Sequence, residues 1–304
     1  MSPRCFATSD PGAATIALLA AARRRGPLAG AVSVLAVDGA SGSGKTTFAA
    51  RLAAALADLT GDEPAVVHLD DLYPGWDGLA AGVEALRSQV LGPLAAGRAA
   101  AYRSWDWAAD APGAWVPVPP APWLVVEGVG AGARACAPFL SALAVVEAPE
   151  TVRRERALAR DGAAYEPHWQ RWAEQERAVL GAERPTRRAD VRLDSAPRAG
   201  DNGAMSGEPP AVLDRSAILR DAVVEMTHAQ GEDVTARRDG EHVLLSRVTP
   251  FLRVVPAADG GIELQLHAAG PGGEPHRVRV GPDALDADLI ALEPLIEAAY
   301  AQNG

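Results

Sequence analysis

At 304 residues, 48% hydrophobic and 22% charged, the chain is long enough for two domains and too apolar to be disordered. Its net charge of −10 argues against a nucleic-acid partner. Two cysteines without CxxC spacing argue against a disulfide framework or zinc site and fit a reducing cytoplasm.

The Ala-rich stretch 13–22 is followed by Arg23 to Arg25. A basic cluster after an apolar run is the wrong polarity for a signal peptide, so the stretch predicts an amphipathic helix packed on the first domain. No apolar run reaches the roughly 18 residues of a membrane span, and no membrane partner is expected. Residues 31–38 read as a buried strand closed by a Gly-rich turn. A helix is expected from Lys45 to about Leu59, then strands at 65–69, 123–126 and 143–146, with the breaker Pro117-Val-Pro-Pro-Ala-Pro122 before the second of these. A helix over 150–161 places Glu150 in its first turn and Arg160 in its last, as the helix dipole favours. A further helix over 166–180 and a strand over 190–193 complete an alternation that implies a doubly wound α/β fold with a parallel sheet.

Residues 195–213 carry Gly, Pro and little apolar content and read as a linker between a first domain, 1–194, and a second, 214–304. The first domain holds 20 basic and 22 acidic side chains and the rest of the chain 9 and 17, so most of the negative charge lies in the second part. Beyond the linker, Asp239-Gly240 and Asp259-Gly260-Gly261 look like hairpin turns, and 262–267 alternates as a strand with one wet face. Helices are expected over 214–230 and 283–301, the latter bent at Pro294. The second domain is thus expected to be a small α+β unit with an antiparallel sheet.

One feature carries chemistry on its own. Gly39-Ala-Ser41-Gly42-Ser43-Gly44-Lys45-Thr46 matches G-x-x-x-x-G-K-[ST] between a strand and a helix. The glycines let backbone N–H groups turn around phosphates, Lys45 reaches the β and γ oxygens, and the Thr46 hydroxyl suits Mg²⁺. Lys45 is also the one lysine among 29 basic residues. With no other lysine, the chain has no Asn-Lys-x-Asp guanine-reading motif. Its third strand ends Leu124-Val-Val-Glu127-Gly128 rather than in Asp or Asp-Glu. Both features favour a metabolite kinase over a GTPase or a motor ATPase.

Asp70 and Asp71 follow a buried strand, where a parallel sheet presents ligand groups. Glu127 ends an apolar strand, where a cation would offset the cost of burial. Tyr73, Tyr102, Trp105 and Trp107 can stack on a base or sugar, or belong to the core. Arg156 and Arg160 lie at i,i+4 on one helical face, a spacing that suits a lid closing on phosphates. The six histidines show no metal-ligand spacing.

In this order the residues resemble the uridine kinase and phosphoribulokinase group of P-loop kinases, over 31–194. Gly39 to Thr47 resembles that family's phosphate loop, and His68-Leu-Asp70-Asp71-Leu72-Tyr73 its Asp-x-Phe-Tyr element. Trp105-Asp106-Trp107 falls where uridine kinases carry Tyr-Asp-Phe, and Val126-Glu127-Gly128 resembles the Glu-Gly strand end. Arg156 to Asp161 is similar to the lid helix, and Ala189-Asp190-Val191 to the strand before the adenine-contacting loop. The resemblance implies ATP and Mg²⁺ as cofactors, Asp70 as general base, Glu127 beside Thr46 at Mg²⁺, and 105–107 shaping the acceptor site. Tryptophans replace the family's smaller aromatics, and Asp110 stands where uridine kinases place a base-contacting histidine. A nucleoside leads as acceptor, with a pantothenate-like acid or a sugar as alternatives. An ATP-binding switch, with residues 205–304 as partner-binding module, is the rival class.

Overall fold

The computed structural model describes residues 6–8, 11–162, 165–196, 223, 235–239, 242–246, 250–258, 261–267, 275–281 and 292–302. The expected linker (except Ser195 and Ala196), the helix over 214–230 (except Val223), the glycines of both hairpin turns (except Gly261) and residues 283–291 lie outside them. The chain separates into two compact units, Met1–Pro209 and Pro210–Gly304.

The first unit is built on a six-stranded parallel sheet. Its strands are β1 (Phe6–Thr8), β2 (Ser33–Asp38), β3 (Ala65–His68), β6 (Trp123–Glu127), β7 (Ala142–Glu147) and β8 (Val191–Asp194), in spatial order β1-β8-β7-β2-β6-β3. Every residue of β2 is buried, as a central strand covered on both faces requires. Alternate side chains go to opposite faces. Leu35, Val37, Val125, Ala144 and Val146 pack under α1 (Pro11–Arg25) and α2 (Lys45–Thr60). Val34, Ala36, Val67, Val126 and Val145 join a larger cluster with residues of α3 (Leu79–Ala85), α5 (Glu150–Asp161) and α6 (Trp169–Glu183).

The helix expected over 13–22 is α1, and its last residue pins it across the sheet. Arg25 donates to both carboxylate oxygens of buried Asp190, at 2.7 and 2.5 Å, and to the Ser141 carbonyl at 3.0 Å. Asp190 also accepts the Leu143 amide at 2.9 Å.

Several elements are absent from the sequence reading. β1 is a three-residue edge strand paired with β8. α3 continues through a wide turn, Leu86–Leu91, into the short α4 (Gly92–Ala95). β4 (Ala101–Asp106) and β5 (Ala111–Pro117) form an antiparallel hairpin, to which the sequence reading assigned no element.

In the second unit, β9 (Thr235–Asp239), β10 (His242–Ser246), β11 (Pro250–Pro256), β12 (Ile262–Leu266) and β13 (His276–Val280) form an antiparallel sheet ordered β13-β12-β11-β10-β9. Ile262, Leu264 and Leu266 are buried while Glu263 and Gln265 are half-buried, the predicted alternation. They pack with Ile296 and Ala299 of α7 (Glu293–Gln302). Pro294 stands in the first turn of α7, where its missing N–H costs nothing.

Candidate active site

The site forms at the carboxyl ends of β2, β6 and β3, the edge at which open α/β sheets bind ligands. Sheet register sets Glu127 beside Val37 on one side and His68 on the other.

The phosphate loop follows β2 and runs into α2. Gly39, Gly42 and Gly44 hold φ of 152°, 76° and 89°. At Gly39 a Cβ would collide with the Val146 carbonyl, and at Gly42 with the Arg153 carbonyl, so both glycines are required by space as well as by φ. No side chain caps the N-terminus of α2, which leaves its amides to an anion. Ser43 is fully buried, and its hydroxyl has no hydrogen-bond partner.

Lys45 is only 5% exposed, so it lies within the site rather than on its surface. Its charge acts on three carboxyls, those of Asp38, Asp70 and Glu127. Thr46 Oγ1 donates to the Glu127 carboxylate, 3.3 Å from each oxygen. His68 Nδ1 lies 2.7 Å from Glu127 Oε1. Burial works to raise the Glu127 carboxyl, but His68, Lys45 and Thr46 together bring it below the ordinary value. The same hydrogen bond raises His68.

Asp70 sits in a short helical turn, Leu69–Asp71, after β3. It is open to solvent yet crowded by protein. That desolvation raises its carboxyl, with Glu127 and Asp71 adding to the effect and Lys45 and Arg160 opposing it. Asp71 accepts the Tyr102 hydroxyl at 3.3 Å. Burial and this neighbour push the Tyr102 phenol to about 12.

Not every expected contact survives. Tyr73 is 1% exposed, with its hydroxyl donated to the Val129 carbonyl at 2.8 Å. Tyr102 is likewise buried. Both support the floor of the site by packing, and neither presents a ring to an acceptor. Asp106 Oδ1 accepts the Ala108 and Ala109 amides, each at 3.0 Å; it caps the β4–β5 turn, which explains an aspartate at that place. Arg156 donates to Ser195 Oγ (3.0 Å) and O (2.7 Å), and Ser195 Oγ donates to Ser43 O at 2.6 Å. Arg156 therefore supports the phosphate loop through Ser195, while Arg160 acts on the Asp70 carboxyl through its charge. The three polar atoms of Ser41 are taken by protein partners: Glu176 on its amide, Arg153 on its carbonyl and Trp172 on its hydroxyl. Thr47 is exposed in the first turn of α2.

Both tryptophans of 105–107 lie against the segment that follows β3. Trp107 is 39% exposed and donates its indole N–H to the Asp70 carbonyl at 2.9 Å. Trp105 packs against Gly75, and its buried indole N–H has no partner. Trp76, which the sequence did not single out, lies 4.9 Å from Trp107 and stacks on His168 at 4.3 Å.

Two buried carboxylates were also missed. Asp38 is fully buried and accepts the amides of Gly39 (2.7 Å), Gly130 and Gly132 (both 2.9 Å). It ties the start of the phosphate loop to the segment after Glu127. Burial raises its carboxyl against those amides and Lys45. The other is Glu176 on α6, 2% exposed.

Tyr73 gives a test of this packing. Tyr73→Phe leaves the buried Val129 carbonyl without its donor, and the expected loss of stability is about 1–3 kcal/mol, read by denaturant unfolding. An unchanged midpoint would mean that the hydroxyl is not held as described.

No family model matches the chain, and no curated protein matches it. Among solved structures, similarity extends over about half of the chain. A possible uridine kinase from Bacillus stearothermophilus matches at 25% identity and a TM-score of 0.40, over 54% of this chain and 89% of that one. A candidate fructose transport system kinase from Silicibacter sp. TM1040 matches at 22% identity and a TM-score of 0.37, over 59% of this chain and 98% of that one. Among the described residues, no helix is long and apolar enough to cross a membrane.

Proposed function

We propose that the chain transfers a phosphoryl group from MgATP to a hydroxyl of a small molecule, with a nucleoside as the leading acceptor. The observation that carries the reading is the convergence of Thr46 Oγ1 and the Glu127 carboxylate, 3.3 Å apart, beside Lys45 and below the uncapped start of α2.

The residues fit the groups this requires. The orphaned Ser43 hydroxyl and the N-terminus of α2, which no side chain caps, suit phosphate oxygens. Thr46 and Glu127 offer hard oxygen donors to Mg²⁺. Among the described residues no cluster of three or more His, Cys, Asp or Glu could hold a metal alone. That agrees with an ion held by one or two protein groups and the substrate's phosphates. The bound ion would supply charge neutralisation at the transferring group.

The chain's own groups then have distinct tasks. Lys45 and the loop amides hold the phosphates. Asp70 accepts the acceptor's proton, and its raised carboxyl makes it a stronger base than a free aspartate. Arg160 balances charge near Asp70. Trp107, bonded to the Asp70 carbonyl, borders the acceptor's approach.

Calorimetric titration tests the binding half. MgATP is expected to bind saturably, and chelation of Mg²⁺ is expected to weaken binding. Absence of any nucleotide binding would contradict the reading.

A pH profile tests Asp70. A base must be ionised, so activity is lost as pH falls through its folded pKa. Because that pKa is raised from 3.8 in the free chain, the acid limb of kcat/KM should lie above 3.8 and vanish in Asp70→Asn. A limb at or below 3.8 would remove Asp70 from this role.

A further inference from the structure

Helix α6 reaches both halves of the site with adjacent residues. Toward the phosphate loop, Glu176 Oε1 accepts the Ser41 amide at 2.7 Å, and Trp172 Nε1 donates to Ser41 Oγ and to Glu176 Oε1, both at 3.0 Å. Arg153 of α5 closes the group, 3.1 Å from the Ser41 carbonyl and 3.6 Å from Glu176. Toward the segment after Asp70, Gln175 Nε2 donates to the Trp76 carbonyl at 2.5 Å and Arg171 pairs with Asp77. The Trp172 ring meets Tyr73 edge-on at 5.0 Å and Trp76 at 6.2 Å.

Burying a carboxylate is costly, and an apolar side chain of similar volume would pack there without that cost. What an apolar residue could not do is hold a loop amide. Glu176 therefore contributes position at the loop more than it contributes stability to the helix.

We propose that α6 is a brace in which Glu176 and Trp172, through Ser41, hold the phosphate loop in register with the Asp70–Trp76 segment, so that disturbing either set of contacts weakens nucleotide binding. The proposal rests on the MgATP reading above. Glu176, Trp172 and Gln175 are positioning residues: they reach the nucleotide only through the loop and the Trp76 segment.

The test measures three quantities on the full chain: MgATP affinity by titration, amide hydrogen exchange of residues 39–46, and the thermal midpoint. Glu176→Gln keeps the shape but loses the charge. Trp172→Phe keeps a ring against Tyr73 and Trp76 but loses the indole donor. Each is expected to raise the Kd for MgATP about tenfold, the effect of weakening a charge-assisted hydrogen bond, and to speed exchange across 39–46. The midpoint should move by only a few degrees. Gln175→Ala, which does not touch the loop, should raise the Kd several-fold, whereas Gln170→Ala, whose amide bonds Glu174 on the exposed side of α6, should leave it unchanged.

Wild-type affinity and exchange in both Glu176→Gln and Trp172→Phe would overturn the brace while leaving MgATP binding intact. A Gln175→Ala chain that binds as wild type would overturn its coupling between the two halves. If Glu176→Gln does not fold, Trp172→Phe decides. A wild-type chain that binds no MgATP removes the kinase reading and the brace together.

Discussion

Lys45→Ala is expected to lower phosphoryl transfer by at least about a thousandfold, the scale on which positioned charge at a transferring group acts. Lys45 is the one lysine of the chain, so no neighbouring lysine can substitute. Its burial at 5% exposure removes the charge from bulk water, which strengthens its action on phosphate oxygens. The same burial makes the substitution less innocent for stability than a surface change. Asp38, Asp70 and Glu127 lose a cation that lowers each of their carboxyls. That loss of a compensating charge should lower the midpoint by a few degrees without preventing folding. ADP formation and a thermal melt on the same preparation check both halves. A folded Lys45→Ala chain with undiminished transfer would remove the phosphate loop from the reaction.

Asp70→Asn is expected to lower kcat by about 10²–10⁴-fold, the usual share of a general base, with only a few-fold change in MgATP affinity. The stability expectation has the opposite sign. Folding raises the Asp70 pKa, so above pH 3.8 its ionisation opposes folding. Asparagine removes that charge, and the midpoint at neutral pH should stay or rise. Loss of activity without loss of stability is the signature of a group held in a functional state at the expense of the fold. Asp71→Asn is the control. Its amide oxygen can still accept the Tyr102 hydroxyl, now 3.3 Å from Asp71, so rate and midpoint should change little. A severe Asp71→Asn beside a mild Asp70→Asn would move the base by one residue.

Much of this site was legible because its signals are local. The phosphate loop needs eight consecutive residues, and Glu127 is the end of an unbroken apolar strand. The helix over 150–161 was legible to its last residue, with an acid at its start and glycine just beyond it. The hairpin over 101–117 was not, because Pro112, Gly113 and Pro117 look like a connection and its exposed tryptophans break the alternation of a strand. Tyr73 shows why a motif position does not fix a role: its partner, Val129, is 56 residues away. Asp38, His68 and Glu176 were passed over for the same reason. Their partners lie 92, 59 and 135 residues along the chain, and nothing beside them in the sequence announces a buried carboxylate or its pair. Arg156 and Arg160 share a face by spacing, yet one is held by Ser195 and the other acts on Asp70 through its charge, a division that spacing along one helix does not reveal.

The central claim is transfer from ATP to a small hydroxyl compound at this site. The direct measurement is ADP formation by the full chain with MgATP and a panel of nucleosides, pantothenate-like acids and sugars, beside the Lys45→Ala chain. The account predicts that at least one acceptor, a nucleoside first, raises ADP formation well above the acceptor-free rate, with phosphate recovered on the acceptor and no such increase in Lys45→Ala. Saturable MgATP binding with no acceptor turnover across the panel would contradict it and favour an ATP-binding switch.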